Sequence, residues 1–95
     1  MALSKITINF AAKRNILVEI CEADEIVEMD RVWIYTDVDA CEPDVSYVAN
    51  ADGSFSFYGN LGLPVEVKEE LPAYIRDEKH LREVIAFIAN EMKGE

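Results

Sequence analysis

Ile6, Ile8 and Phe10 alternate with Thr7 and Asn9 near the start of the chain. A period of two puts successive side chains on opposite faces of an extended backbone, so residues 5–10 are expected as a half-buried strand. The period then changes. At about 100° per residue, Ala12, Ile16, Ile20, Ala23 and Val27 fall in one stripe, with Glu22, Glu25 and Glu28 opposite. No Gly or Pro interrupts residues 11–29, and the pattern predicts an amphipathic helix of about five turns. Two features oppose it. Lys13 and Arg14 stand at its start and acids crowd its end, the unfavourable sense for a helix dipole. Ile16, Val18 and Ile20 also alternate, which would suit a strand followed by a turn near Ala23-Asp24. That hairpin has no Gly, Pro or Asn-Gly at its turn, and the helix is the favoured reading.

Arg31–Thr36 is rich in β-branched and aromatic residues and is expected as a strand. The acidic, proline-containing stretch 37–44 is expected as a loop. Val45–Asn50 and Phe55–Tyr58 flank Ala-Asp-Gly-Ser, and Asp52-Gly53 can supply the positive φ angles of a two-residue hairpin turn. That turn would pair Val48 with Phe57, Asn50 with Phe55 and Tyr47 with Tyr58. Residues 59–64 form a connector. A short helical turn around Lys68–Leu71 is stopped by Pro72, which lacks a donor. Asp77 is placed as an N-cap. After it, Leu81, Val84, Ile85, Ile88 and Met92 make the stripe of a core-facing helix, with Phe87 beside it and Gly94 at its stop. Glu78 and Arg82 stand at helical i, i+4 spacing as an ion pair.

The resulting order, β-α-β-β-β-(α)-α, predicts an α+β fold. A small, mainly antiparallel sheet of three or four strands would pack against the C-terminal helix and a helix over 11–29. With 95 residues and no repeat or linker, one domain over 1–95 is expected.

Charge changes this picture more than composition does. The formal net charge is −10. Between Asn15 and Val65 stand eleven carboxylates (Glu19, Glu22, Asp24, Glu25, Glu28, Asp30, Asp37, Asp39, Glu42, Asp44, Asp52) and one base, Arg31. Outside that span eight acids balance eight bases, so the whole excess lies in the middle of the chain. Such a field repels nucleic acid and anionic membrane and favours a basic protein surface. No apolar run approaches the roughly 18 residues of a membrane span, and the N-terminus lacks a signal-peptide core, so a cytoplasmic location is expected.

Candidate chemistry is sparse. His80 is the one histidine, in a polar stretch expected to face water. Cys21 and Cys41 have no metal-ligand or CxxC spacing and are expected as free thiols. No phosphate loop or nucleophile motif occurs. Asp37, Asp39, Glu42 and Asp44 put four carboxylates in eight residues, yet the stretch lacks the glycine and closing glutamate of an EF-hand. A Trp/Tyr/Phe set (Trp33, Tyr35, Tyr47, Phe55, Phe57, Tyr58) is expected in sheet packing or as an interface anchor.

The reading that results is a non-enzymatic acidic module, without cofactor or metal, that binds a basic surface of a protein partner. Its contact residues would be Glu19, Glu22, Glu25, Glu28, Asp30, Asp37, Asp39, Glu42 and Asp44. In its sharpest form it is an inhibitor or immunity-type protein. A helical row of Glu22, Glu25 and Glu28 would then imitate nucleic-acid phosphates, with acids about 4.5 Å apart along the axis. Two alternatives stand beside it. One is a divalent-metal or small-molecule binding protein using the 37–44 loop. The other is a structural subunit that assembles through its sheet edge or aromatic face.

Overall fold

The computed structural model describes residues 3–26, 28–36, 42–60 and 62–93. Its elements run α1 (Lys5–Ala12), β1 (Leu17–Cys21), β2 (Arg31–Tyr35), β3 (Val45–Ala49), β4 (Phe55–Asn60), α2 (Val65–Glu70), β5 (Tyr74–Ile75) and α3 (Glu78–Lys93). The fold is α+β. The five strands form an antiparallel meander in sequence order, β1-β2-β3-β4-β5.

The first third of the chain corrects the expected order of elements. Residues 5–10 are helical, not extended. The face that α1 buries carries Leu3, Thr7 and Ala11 at a spacing of four, while Ile6 is 69% exposed and Ile8 is also outside. Small side chains there let α1 lie close to α3, so the large alternating isoleucines are not the core. Helix then ends where the sequence pattern suggested it should continue. Asn15 takes a left-handed backbone, φ 60°. The Ile16 N–H reaches back to the Ala11 carbonyl (3.0 Å) and the Asn15 N–H to that of Ala12 (3.0 Å). Both bonds are those of a Schellman stop, with Asn in the place more often held by Gly. Beyond it the alternation of Ile16, Val18 and Ile20 wins. Residues 17–21 form β1, which pairs with β2 in the register Val18↔Ile34, Glu19↔Trp33 and Ile20↔Val32.

The β3–β4 hairpin forms as expected, with a register shifted by one. Tyr47 pairs with Phe57, Val48 with Ser56 and Ala49 with Phe55. The Asn50 N–H bonds the Ser54 carbonyl (2.8 Å), the Gly53 N–H bonds the Asn50 carbonyl (3.1 Å), and Gly53 sits at φ 90°. This is a three-residue loop, a turn followed by a left-handed glycine, and the extra residue moves the partners of Tyr47, Val48 and Ala49 by one. Tyr58 is the unmatched residue of a bulge, because Ser46 pairs with Gly59 and Tyr47 with Phe57. A short fifth strand, not anticipated, closes the far edge, with Phe55↔Ile75 and Ser56↔Tyr74.

One face of the sheet packs against the helices. Val18, Val32, Ile34, Val45, Tyr47, Phe55 and Ile75 join Ala11 of α1, Val67 of α2 and Leu81, Val84, Ile85 and Ile88 of α3 in a single buried cluster. Met92 and Phe87 pack at its margin as the helical stripe predicts. The buried Tyr47 ring meets Phe57 edge-on at 5.6 Å, and its hydroxyl donates to the Pro72 carbonyl (2.9 Å). Burial pushes that phenol up to about 12. Asp77 caps α3 by accepting the His80 N–H (2.9 Å).

A polar clamp fastens α1 to α3. Glu78 Oε1 accepts from the Ser4 N–H (3.1 Å), the Ser4 hydroxyl (2.8 Å) and the fully buried Thr7 hydroxyl (2.7 Å). Arg82 donates to Thr7 Oγ1 (3.0 Å), so it and Glu78 meet through a third residue. Burial alone would push the Glu78 carboxyl up. Hydrogen bonds from Thr7 and Ser4, with the Arg82 charge nearby, outweigh it and hold the group below its ordinary 4.5. A depressed carboxyl stabilises the fold above its unfolded pKa, and that stability is lost as pH falls through the folded value. Glu78→Gln is therefore expected to cost about 1–2 kcal/mol at neutral pH, with the gap to the parent narrowing below about pH 4.5. Urea denaturation of both proteins across pH checks this, and a gap that widens on acidification would contradict it.

Candidate interaction surface

Strand alternation decides which side chains stand on the face away from the helices. Leu17, Glu19 and Cys21 of β1 lie beside Tyr35, Trp33 and Arg31 of β2. Ser46 and Val48 of β3, Ser56 of β4 and Tyr74 of β5 continue the same face. The buried side chains of all three helices go to the opposite face. That face carries Trp, Tyr and Arg, of which Tyr35 and Arg31 are buried and Tyr74 is half exposed.

Arg31, the one base of the acidic middle, lies within this face with 9% of its surface exposed. Its guanidinium carbon stands 5.8 Å from the Trp33 ring centre and 5.9 Å from that of Tyr58. Nη2 reaches Cys21 Sγ (3.3 Å) and approaches Asp24 Oδ2 (4.0 Å), while Nε is buried with no hydrogen-bond partner. At the other end of β2 Tyr35 is buried and donates to Glu19 Oε2 (3.3 Å). Burial, then the Glu19 charge, pushes the Tyr35 phenol above its ordinary 10. Tyr58 and Tyr74 remain about half exposed, at 48% and 52%.

The acids anticipated as one contact set are divided by the meander. Glu22, Glu25 and Glu28, with Asp24, stand exposed on the β1–β2 connection. They do not form a helical row, because residues 22–26 and 28–30 lie in no helix after the early end of α1. Asp30 closes the base of that loop, accepting the Ala23 N–H (2.8 Å), and Asp24 accepts the Ile26 N–H (2.9 Å). Asp52 belongs to the same end of the sheet, at the β3–β4 tip. The Ser54 hydroxyl and N–H hold its carboxyl below the ordinary range. A groove of about 570 Å³ separates the two tips, with Ala23, Glu28 and Met29 on one wall and Asn50 and Ala51 on the other.

Glu42 and Asp44 lie at the opposite end, beyond the five residues of β2, a separation of about 13 Å or more. Glu42 is exposed. Asp44 is tied into the structure: its Oδ2 accepts both the Thr36 N–H (2.7 Å) and the Thr36 hydroxyl (2.6 Å). A Cβ on Gly62 would collide with its carboxylate. Asp37, Asp39 and Cys41 fall outside the described residues, as do Val27 and Gly94. Glu19 is exposed on the open face at the sheet edge. The set therefore resolves into a tip (Glu22, Glu25, Glu28, Asp30), an edge residue (Glu19) and a remote pair (Glu42, Asp44).

For other chemistry the geometry is specific. Among the described residues no group of three or more His, Cys, Asp or Glu side chains comes together to hold a metal ion. His80 Nδ1 accepts the Arg76 N–H (3.1 Å), a capping contact at the start of α3. Among the described residues no helix is long and apolar enough to cross a membrane.

Two features escaped the sequence. Ile26 is 91% exposed and Met29 is also exposed, both inside the acidic tip. Residue 26 offered no signal, since an apolar residue between acids reads as the inner side of a helix. Comparison with protein-family models, with curated proteins and with solved structures finds no match for this chain. What the residues define is an α+β meander with one open, aromatic sheet face and an acidic, partly apolar hairpin tip.

The burial of Arg31 yields a test. Its side chain is nearly buried with the guanidinium near the Trp33 and Tyr58 rings, whereas its Nε is unsatisfied. Arg31→Met keeps the stem and removes the orphaned donor, so it is expected to cost at most about 1 kcal/mol, and Arg31→Ala about 2–3 kcal/mol. Chemical denaturation orders the two. A methionine variant as unstable as the alanine one would show that the charge, not the stem, matters.

Proposed function

We propose that this chain is a non-enzymatic interaction module whose acidic β1–β2 tip binds a basic surface on a protein partner. The observation that carries the proposal is Ile26, 91% exposed among the exposed carboxylates of Glu22, Asp24, Glu25 and Glu28. Burying that outward isoleucine against a partner would be worth about 2 kcal/mol. Charge supplies attraction and orientation, and the apolar anchor supplies the desolvated centre that a stable contact needs. Hydrogen bonds from the Ala23 and Ile26 N–H groups to Asp30 and Asp24 hold the loop in shape, which lowers the entropy cost of binding.

The preference for protein over nucleic acid follows from the sign of the charge. The narrower idea of an inhibitor that copies duplex phosphates needed Glu22, Glu25 and Glu28 at helical spacing, which a loop does not provide. An inhibitory role remains compatible with the tip, as blockade of a basic site.

Affinity capture from the source cell tests the reading, with the whole chain as bait. A basic partner is expected to be retained at about 50 mM salt and to weaken at least tenfold by about 200 mM. Ile26→Ser is expected to lower its affinity about tenfold, and the triple change Glu22→Lys, Glu25→Lys, Glu28→Lys to abolish it. A partner held equally at both salt concentrations, or by the triple variant, would contradict the proposal.

A further inference from the structure

We infer that the partner presents an extended basic segment that adds to the free edge of β1 as a sixth strand, an inference that rests on the acidic-tip reading above. The two edges of this sheet are unlike. At one, β5 is only two residues long and leads straight into α3, so little backbone is left open. At the other, β1 offers five residues without Pro, and among the described residues β2 is the only strand that pairs with it. Alternate N–H and C=O groups of Leu17–Cys21 therefore point away from the sheet with no strand to meet them. Exposed edges of this length are usually blunted, because they template pairing with another chain.

The side chains on β1 select what can pair. Glu19 is exposed at the centre of the strand, on the open face beside Trp33. A second copy aligned antiparallel over the full strand would set Glu19 against Glu19, and like charges directly opposite are unfavourable. A strand with Lys or Arg at that position would instead meet a carboxylate, and the strand would continue past Glu22 into the acidic tip. The other face suits the same occupant. Val18 and the half-buried Ile20 would meet β-branched residues alternating with the basic ones. Backbone pairing would supply affinity and Glu19 the choice of partner, as in strand addition generally.

Three synthetic probes test the inference against the intact protein: a capped Val/Lys alternating heptapeptide, its Val/Glu counterpart, and a helical Lys/Ala peptide of equal charge. Residue-resolved amide hydrogen exchange is the readout. The Val/Lys peptide is expected to slow exchange of the outward amides within Leu17–Cys21 at least tenfold at saturation, and the other two to leave them unchanged. Glu19→Lys, at an exposed position, is expected to weaken Val/Lys binding roughly threefold to tenfold and to favour the Val/Glu peptide. Val/Lys binding that protects only residues 22–30 would overturn the edge inference and leave the tip reading standing. Failure of both basic peptides to bind would count against both. Protection of β1 that grows with protein concentration in the absence of peptide would mean that a second copy occupies the edge, and would also overturn the inference.

Discussion

With Asn15 at φ 60°, the chain leaves α1 after eight residues, and Ile16 bonds back to the Ala11 carbonyl. The acids from Glu19 to Asp30 are placed by that stop. Had the helix run on, Glu22, Glu25 and Glu28 would line one helical face. Because it ends, residues 17–21 become an edge strand, and Glu22, Glu25 and Glu28 fall on the connection from it to β2. A non-glycine residue in the left-handed region carries a cost, which Asn bears better than most. It is offset by two satisfied carbonyls at the helix end and by burial of Ile16 in the core. The Glu78 clamp then fixes the other end of α1 to α3, so a helix of only eight residues is held at both of its termini.

The meander determines what the charge can do. Strands that reverse direction put alternate connections at alternate ends, so the acids of 22–30 and those of 42–44 are separated by the length of β2. An interaction energy of about 1 kcal/mol for unit charges 4 Å apart in water falls in proportion to distance and is further screened by salt. The two groups therefore act as separate fields, and within the second Asp44 is engaged internally, accepting two bonds from Thr36. The opposite group has its carboxylates outward, with Ile26 and Met29 among them and the β1 edge leading into it. Arg31 joins this tip to the aromatic face, since its guanidinium lies near Asp24 as well as Trp33 and Tyr58.

Legibility in the sequence followed the strength of the local signals. The α3 stripe from Leu81 to Met92, the Asp77 cap and the strand at 31–35 were plain, because periodicity, cap and β-branched content agreed. The Asp-Gly hairpin was plain in place but not in register, since the same dipeptide serves a two-residue or a three-residue loop. The exchange of helix and strand before residue 22 has a physical source. In α1 the buried positions are Thr7 and Ala11, small enough to pack near α3, while the conspicuous Ile6 and Ile8 face outward. The stop at Asn15 carries no glycine and was hidden by a chance 3.6-residue spacing. Of the site, the exposed acids were legible from charge alone. Ile26 and the buried Arg31 were not, because each departs from the ordinary preference of its residue type and only tertiary placement shows it.

Strand addition beside the acidic tip requires that β1 be an edge strand open on one side. Native-state amide hydrogen exchange of the free protein, read residue by residue over Leu17–Cys21, measures this directly. Alternating rates are expected, with the amides paired to β2 protected and those pointing outward exchanging nearly as fast as in a loop. Uniform protection along the strand would show the edge to be covered in the free protein. Rates that rise and fall with helical rather than alternate spacing would contradict the strand itself.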